Sequence, residues 1–358
     1  MQSDITTLCI ESDRSIIEAI RLMDQSRMGI VLVVDSDRRL LGTITDGDIR
    51  RAVLAKISFS ESVDLLLTRK GDDGHINPVT AFIGAEESTW IDLLKRHKIS
   101  HLPLLDSEQR VDGLVKLDEL LLGRTPELEA IVMAGGEGQR LMPLTANTPK
   151  PMLPVGDKPL LEIIIKNLAA AGITKVKVAT HHKPETITTH FGDGKDFGVD
   201  LSYVSEERPL GTAGGLGLLK TPDQTTLVIN GDILTNVDFR AMLSYHKEHK
   251  ADLTVAVRHY DLKVPYGVVE CDGPVVKKIT EKPIFGVFVN AGIYLLEPAV
   301  YRFIPNDEHF HMTQLIGRLL NAKRVVVSFP IHEEWLDIGD HTDYQRAQEL
   351  IKGLGVHP

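Results

Sequence analysis

Apolar residues in this chain come in short runs separated by charged or glycine-bearing turns, a pattern of alternating strands and helices. The N-terminal part of the pattern repeats. Residues 35–42, Asp-Ser-Asp-Arg-Arg-Leu-Leu-Gly, recur 71 positions later as residues 106–113, Asp-Ser-Glu-Gln-Arg-Val-Asp-Gly. The same offset carries Ile20, Leu22, Met23 and Met28 onto Ile91, Leu93, Leu94 and Ile99 without a gap. Each copy reads as an amphipathic helix, an apolar strand, a charged turn, a second strand and a second helix. Residues 31–34 and 102–105 are the buried strands. Two copies, about residues 3–60 and 74–122, predict a pseudo-twofold pair that buries two sheets against each other.

Residues 123–127, Gly-Arg-Thr-Pro-Glu, read as a short linker. Beyond them, residues 128–134 predict a buried parallel strand, and Gly135-Gly136-Glu137-Gly138-Gln139-Arg140 follows directly. Such a loop can turn backbone N–H groups toward phosphate. Glycine also serves tight turns for steric reasons alone, and the Lys-Ser/Thr of a Walker loop is absent. Further strands are predicted at 175–180, 201–205, 226–230 and 252–258, between helical stretches, which suits a Rossmann-like sheet.

Composition adds exclusions. The 358 residues are 42% hydrophobic and 25% charged, ordinary for a globular chain of two or three domains. Lys+Arg number 40 and Asp+Glu 50, a net charge of −10 that speaks against a nucleic-acid partner. Residues 1–124 carry 16 basic and 21 acidic groups and residues 125–358 carry 24 and 29, so charge alone does not say which part meets a ligand. No apolar run approaches the roughly 18 residues of a membrane span. No basic-then-apolar leader opens the chain, so a soluble, cytoplasmic protein without a membrane partner is expected. Cys9 and Cys271 make neither a disulfide framework nor a metal knuckle. His181-His182 and His309-Phe310-His311 lack zinc-like spacing and read as surface or lining residues.

The stretch Gly42-Thr43-Ile44-Thr45-Asp46-Gly47-Asp48-Ile49-Arg50-Arg51, set in the repeat, resembles a tandem pair of CBS domains (a Bateman module) over residues 1–122. The resemblance implies a regulatory or assembly role, with Thr45 and Asp48 holding the phosphate and ribose of a regulatory nucleotide. A hydroxyl can donate to phosphate, and a carboxylate accepts from ribose hydroxyls. The second copy has Lys116 and Glu119 at these places, so a second identical site is not implied. A dimerisation platform alone is the other reading.

The run Gly135 to Thr145, followed by Pro149-Lys150-Pro151-Met152-Leu153-Pro154-Val155, resembles the signature of the sugar-phosphate nucleotidyltransferases, with Gln139 where the family commonly has Thr. Asn230-Gly231-Asp232, Glu281-Lys282-Pro283, Asn290-Ala291-Gly292 and Trp335-Leu336-Asp337-Ile338-Gly339 follow in family order. The implied fold is α/β: a Rossmann-like nucleotidyltransferase domain over 128–358 with a mixed, mostly parallel sheet, preceded by the α/β CBS pair. The implied reaction joins a nucleoside triphosphate to a sugar 1-phosphate and releases pyrophosphate. Its nucleophile is already an anion, so the task is to gather anions and stabilise added negative charge.

The resemblance gives each residue a role. Arg140 grips the triphosphate, Lys150 is a point charge near the reacting phosphates, and Asp232 and Asp337 hold Mg2+. Ala134, Gly135, Gly136, Gly138 and Gln139 bind the nucleotide through the loop. Glu206, Pro209 and Gly211 lie in the base-recognition segment 206–215. A carboxylate at Glu206 would accept from both N1–H and N2–H of guanine, which favours GTP. Lys282 neutralises the sugar phosphate, Glu281 and Asn290 meet sugar hydroxyls, and Gly267 permits close approach. The two-part architecture resembles the glucosamine-1-phosphate guanylyltransferases of bacterial legionaminic acid synthesis. Mannose or heptose 1-phosphate suits the second part equally, and adenylyl or uridylyl transfer to glucose 1-phosphate is a more distant rival. A non-catalytic nucleotide sensor is the reading of another class; retention of Arg140, Lys150, Asp232, Lys282 and Asp337 argues against it. A homo-oligomer, dimer or tetramer, is expected.

Overall fold

The computed structural model describes residues 5–26, 28–72, 77–97, 99–117, 128–136 and 138–353. The expected linker, 123–127, and Glu119 of the second copy lie outside the described residues. The chain divides into two compact units, Met1–Arg124 and Thr125–Pro358.

In the first unit, β1 (Cys9–Glu11), β2 (Ile30–Val34) and β3 (Leu40–Thr45) form one sheet in that order. The strands β4 (Ala81–Phe82), β5 (His101–Leu105) and β6 (Val111–Lys116) form another. The sequence repeat is a repeat of register. Ile30 pairs with Thr45 as His101 pairs with Lys116, and a bulge falls between Val33 and Val34 as it does between Leu104 and Leu105. Arg38 and Gln109 hold the same place in the two charged turns, with φ of 63° and 64°. The copies meet at these turns. Val111 N–H donates to the Arg38 carbonyl at 2.9 Å, and Arg38 Nη2 donates to the Val111 carbonyl at 3.0 Å. Ile30, Leu32 and Val34 face Leu105 and Val111, while Val31 and Val33 face the first copy's own helices. That division follows from the two-residue alternation of a strand. The short strands β1 and β4 carry too few residues to show a period, and the pattern misses them.

The second unit continues with β7 (Glu129–Met133), the small pair β8 (Pro154–Val155) and β9 (Lys158–Pro159), β10 (Lys175–Thr180), β11 (Asp200–Ser205), β12 (Thr226–Asn230) and β13 (Ile233–Thr235). Next come β14 (Leu253–Lys263), the hairpin β15 (Val268–Asp272) and β16 (Val275–Thr280), β17 (Ile284–Leu296), β18 (Val326–Ile331) and β19 (Trp335–Asp337). A seven-stranded sheet runs in the order β11-β10-β7-β12-β17-β14-β18. It is mixed and mostly parallel: β17 is antiparallel to both neighbours, and the remaining pairs are parallel. Both faces are covered. Ala130 and Val132 pack with the helix Leu160–Ala170, and Ile131 packs with the helix Met312–Asn321. Burial on both faces explains why these strands read as continuous apolar runs. The predicted strand 252–258 is longer than expected. Past Arg258 it leaves the layered core paired with β17, its side chains are exposed, and no alternation marks it.

Sheet order creates the crevice. The chain leaves β7 for β10 and β11 on one side, then returns to β12 on the other. Ligands of open α/β sheets bind outside the carboxyl ends of the strands at such a reversal. Among the described residues, no helix is long and apolar enough to cross a membrane.

Candidate active site

The glycine loop leaves the sheet at this reversal. Ala134 N–H still donates to the Ala179 carbonyl at 2.8 Å, so β7 and β10 stay joined up to the first glycine. Gly138 has φ +66°, and a Cβ there would lie 2.8 Å from Thr145 Cγ2 and 3.0 Å from Lys150 Cβ. Only glycine lets the loop fold back this closely. Thr145 Oγ1 closes the fold by donating to the Gly138 carbonyl at 2.9 Å. Gln139 and Arg140 occupy the short turn Gln139–Leu141, pinned by buried Leu141. Arg140 is exposed, and its guanidinium lies along Gly339, where a Cβ would be 3.2 Å from Nη2.

Lys150 is only 9% exposed, and its Nζ donates to Asp232 Oδ2 at 2.5 Å. Asp232 follows β12 through Gly231, whose N–H donates to the Met133 carbonyl at 2.8 Å. Asp337 arrives from far along the chain. The short antiparallel pair β13–β19 sets Ile233 opposite Asp337, and Ile338 N–H donates to the Asp232 carbonyl at 3.0 Å. Asp337 keeps contact with water, yet its partial burial, then the charge of Asp232, push its pKa up, against the pull of Lys150 and Arg140. Asp232 Oδ1 is buried and has no hydrogen-bond partner among the described residues. A bare buried carboxylate oxygen beside a second, destabilised carboxylate fits a divalent cation. Such a cation takes one or two carboxylates along with phosphates and waters.

At the end of β11, Glu206 N–H donates to the Thr180 carbonyl at 2.8 Å and extends the ladder by one residue. The Glu206 carboxylate lies beside the glycine loop, 3.5 Å from where a Gly135 Cβ would sit. It is not open to a base edge as expected. Glu206 is 6% exposed, Oε2 accepts from Leu210 N–H at 3.1 Å, and a Cβ on Gly215 would meet Oε1 at 2.4 Å. Burial raises its pKa, opposed by the Leu210 N–H and by His181. Pro209 is exposed on the same segment. Gly211 has φ +80° and packs on the next layer, where a Cβ would lie 2.8 Å from the Phe310 carbonyl and 3.1 Å from His311 Nδ1. His181 and His311, assigned no specific role from the sequence, therefore both border this segment. Only the packing of distant loops shows it.

Gly267, Glu281 and Lys282 gather where the β14–β17 ribbon meets the β15–β16 hairpin. A Cβ on Gly267 would be 3.0 Å from Glu281 Oε2, and Lys282 is exposed with φ 44°. Among the described residues, no hydrogen bond or ion pair joins Glu281 or Lys282 to the aspartate centre. Asn290 is exposed, but its amide folds back on β17. Nδ2 donates to the Tyr294 hydroxyl at 2.7 Å, and Oδ1 accepts from Gly292 N–H at 3.0 Å. Burial raises the Tyr294 pKa to about 12, helped by the charge of Asp232 and opposed by the Asn290 bond. Asn290 thus braces a buried tyrosine and the turn at Gly292.

In the first unit, Thr45 and Asp48 meet each other rather than an open cleft. Asp48 is 6% exposed. Oδ2 accepts from Thr45 N–H and Oγ1, each at 2.8 Å, and from Lys70 Nζ at 3.0 Å. Oδ1 accepts from Arg51 Nη2 at 2.7 Å. Burial alone would raise the Asp48 pKa; Lys70, the Thr45 N–H and Arg51 outweigh it and hold the carboxyl below its usual range. Oδ2 thus takes three donors and Oδ1 one, so only Oδ1 keeps an acceptor position for a ribose hydroxyl, and any contact through Oδ2 has to displace a protein donor.

The family model of the nucleotidyl transferases matches residues 129–353, and that of the CBS domain matches residues 1–55. The chain is 32% identical over 244 residues to the mannose-1-phosphate guanylyltransferase of Mycobacterium tuberculosis, covering 65% of this chain and 67% of that protein. It is 33% identical over 228 residues to the D-glycero-alpha-D-manno-heptose 1-phosphate guanylyltransferase of Aneurinibacillus thermoaerophilus, covering 63% and 99%. It spans only 62% of the Candida albicans mannose-1-phosphate guanyltransferase, at 33% identity over 227 residues and 61% of this chain. Among solved structures, a Bacillus anthracis protein described as a glucose-1-phosphate thymidylyltransferase, in complex with sucrose, superposes with a TM-score of 0.54 at 26% identity, over 64% of this chain and 98% of that one. The glycine loop, the buried lysine and the paired aspartates therefore stand in a chain that belongs to the nucleotidyl transferase family and carries a CBS domain at its N-terminus.

Proposed function

We propose that the second unit transfers the nucleotidyl group of GTP to a sugar 1-phosphate and releases pyrophosphate. One observation carries the reading: Lys150, Asp232 and Asp337 converge beneath the glycine loop, and Asp232 Oδ1 is bare. In this reaction an oxygen of the sugar phosphate bonds to the α-phosphorus. The bond from the α-phosphorus to the bridging oxygen breaks, and its electron pair leaves with pyrophosphate. No proton has to be removed from the nucleophile, so placing charge is the whole task. The loop amides cradle the phosphates, exposed Arg140 holds the departing pyrophosphate as a bidentate fork, and Lys150 stabilises charge gathering at the α-phosphorus. Asp232 and Asp337 are the residues to hold Mg2+, which when bound supplies positive charge to the phosphates. Lys282, on the exposed arm, meets the sugar phosphate.

GTP is supported by the guanylyltransferase names of the relatives. Glucosamine 1-phosphate as acceptor rests on the two-part architecture; mannose and heptose 1-phosphates are favoured by those same names. The first unit regulates or assembles the enzyme. Pyrophosphate release, measured with Mg2+ over a panel of triphosphates and of hexosamine, hexose and heptose 1-phosphates, tests all of this. GTP is expected to give the fastest turnover. Faster turnover with UTP, CTP or ATP removes the guanine assignment, and no release with any pair makes the protein a nucleotide sensor.

A further inference from the structure

Three neighbouring strand ends line one wall of the crevice: β7 with Gly135, β10 with His181, and β11 with Glu206. The middle residue has no assigned role. A Cβ on Gly135 would lie 3.4 Å from His181 Cβ and 3.5 Å from Glu206 Oε2, so the three residues are immediate neighbours. Glu206 is the poorer reader of a base edge. One of its oxygens is held by Leu210 N–H, the other is covered by Gly215, and burial favours its neutral form.

His181 has the chemistry that Glu206 lacks here. Its Nδ1 lies 2.9 Å from the Glu206 carbonyl oxygen. A carbonyl only accepts, so Nδ1 carries the ring proton, and in the neutral imidazole Nε2 is left as an acceptor. Nε2 has no hydrogen-bond partner among the described residues, and His181 is half-buried. The Nδ1 bond orients the ring, and the absence of a side chain at Gly135 leaves room for it beside the loop. A fixed acceptor there discriminates by where the donor falls: the single N3–H of uracil sits on the shorter pyrimidine ring, closer to the ribose than the N1 edge of a purine. Guanine presents two adjacent donors, N1–H and the 2-amino group, whereas adenine presents a bare N1 beside its 6-amino group.

We infer that His181 is the residue that discriminates the nucleobase, its Nε2 accepting from the N–H edge of guanine, while Glu206 positions the His181 ring through its backbone carbonyl. The inference rests on the GTP reading above and deepens it. The test uses the full chain with Mg2+ and no sugar phosphate, measuring equilibrium binding of GTP, UTP and ATP, followed by steady-state kinetics. His181→Ala is expected to weaken GTP about tenfold, the scale of one lost hydrogen bond to a group left buried. Binding of UTP and ATP moves far less, so the GTP preference itself falls. His181→Gln, whose amide oxygen also accepts, recovers most of the GTP affinity and gives the readout should the alanine variant not fold. An equal loss for all three triphosphates overturns the inference, because the contact then lies on ribose or phosphate. Unchanged GTP preference in both variants also overturns it. A wild-type protein that does not prefer GTP refutes the guanine reading itself, an outcome separate from a GTP-selective wild type with an indifferent His181.

Discussion

Replacing Lys150 by methionine removes the ammonium and keeps an apolar stem of similar length. In the wild-type protein that ammonium sits 2.5 Å from Asp232 Oδ2, with side chains 10% and 26% exposed. Removing one partner of a fully buried ion pair costs about 3–5 kcal/mol. Asp232 keeps some contact with water, so the expected cost here is about 2 kcal/mol. In a unit of this size that is a fall in Tm of roughly 4–8 °C. Asp232 is left with no partner on either oxygen, since Oδ1 has none already. A divalent cation can supply the missing charge, so Mg2+ should recover more stability in the variant than in the wild type. The double variant with Asp232→Asn should be more stable than Lys150→Met alone, with a coupling above about 1 kcal/mol. Turnover at saturating substrates should fall about 100- to 1,000-fold, as for other donors aimed at developing charge. Calorimetry with and without Mg2+, on both single variants and the double, measures each quantity. A Lys150→Met protein that melts with the wild type in metal-free buffer, together with additive losses in the cycle, would refute the charge compensation assigned to this centre.

Other outcomes follow from the same geometry. The raised Asp337 pKa means that its ionised form is disfavoured in the fold, so metal-free Asp337→Asn should melt above the wild type at neutral pH. That gap should close as the pH falls and Asp337 takes up its proton, and the variant should show neither turnover nor a Mg2+-induced rise in Tm. Gly138→Ala places a methyl 2.8 Å from Thr145 Cγ2 at φ +66°, and should cost about 2–3 kcal/mol in denaturant unfolding while displacing the loop from Lys150. Asp48→Asn should destabilise the first unit by about 3 kcal/mol at neutral pH. Because the Asp48 pKa is depressed in the fold, its contribution is present above the ordinary carboxylate range and is lost as pH falls through the folded value. Unfolding of wild type and variant should therefore converge in acid; a constant offset would rule out the Lys70 and Arg51 pairing as the cause.

Much of the architecture is legible in the sequence. The 71-residue repeat announced two sheets, because a strand's period and its charged turn are local features, and the structure gives the two copies the same register and equivalent bulges. The strand 226–230 placed Asp232 at a sheet end, and the glycines marked a tight loop after β7. Other features left no local trace. Nothing near Asp337 says that β19 pairs with β13; that pairing alone brings the second carboxylate beside the first. Asn290 read as a sugar ligand, yet its amide is folded onto Tyr294 and Gly292. Asp48 read as a ribose acceptor, yet Lys70 reaches it from a helix 22 positions away.

Chemical type and secondary structure are written residue by residue, through side-chain period, glycine torsions and the acid, base and amide groups available. Which of those groups ends up buried, paired or bare depends on contacts between segments far apart in the chain. His181 shows the division most clearly. As a letter it is one of fourteen histidines. Only the parallel order β11-β10-β7 sets it between Gly135 and Glu206, ties down one nitrogen and leaves the other without a partner. Sheet order is settled by the collective burial of both faces, so no short window of sequence contains it.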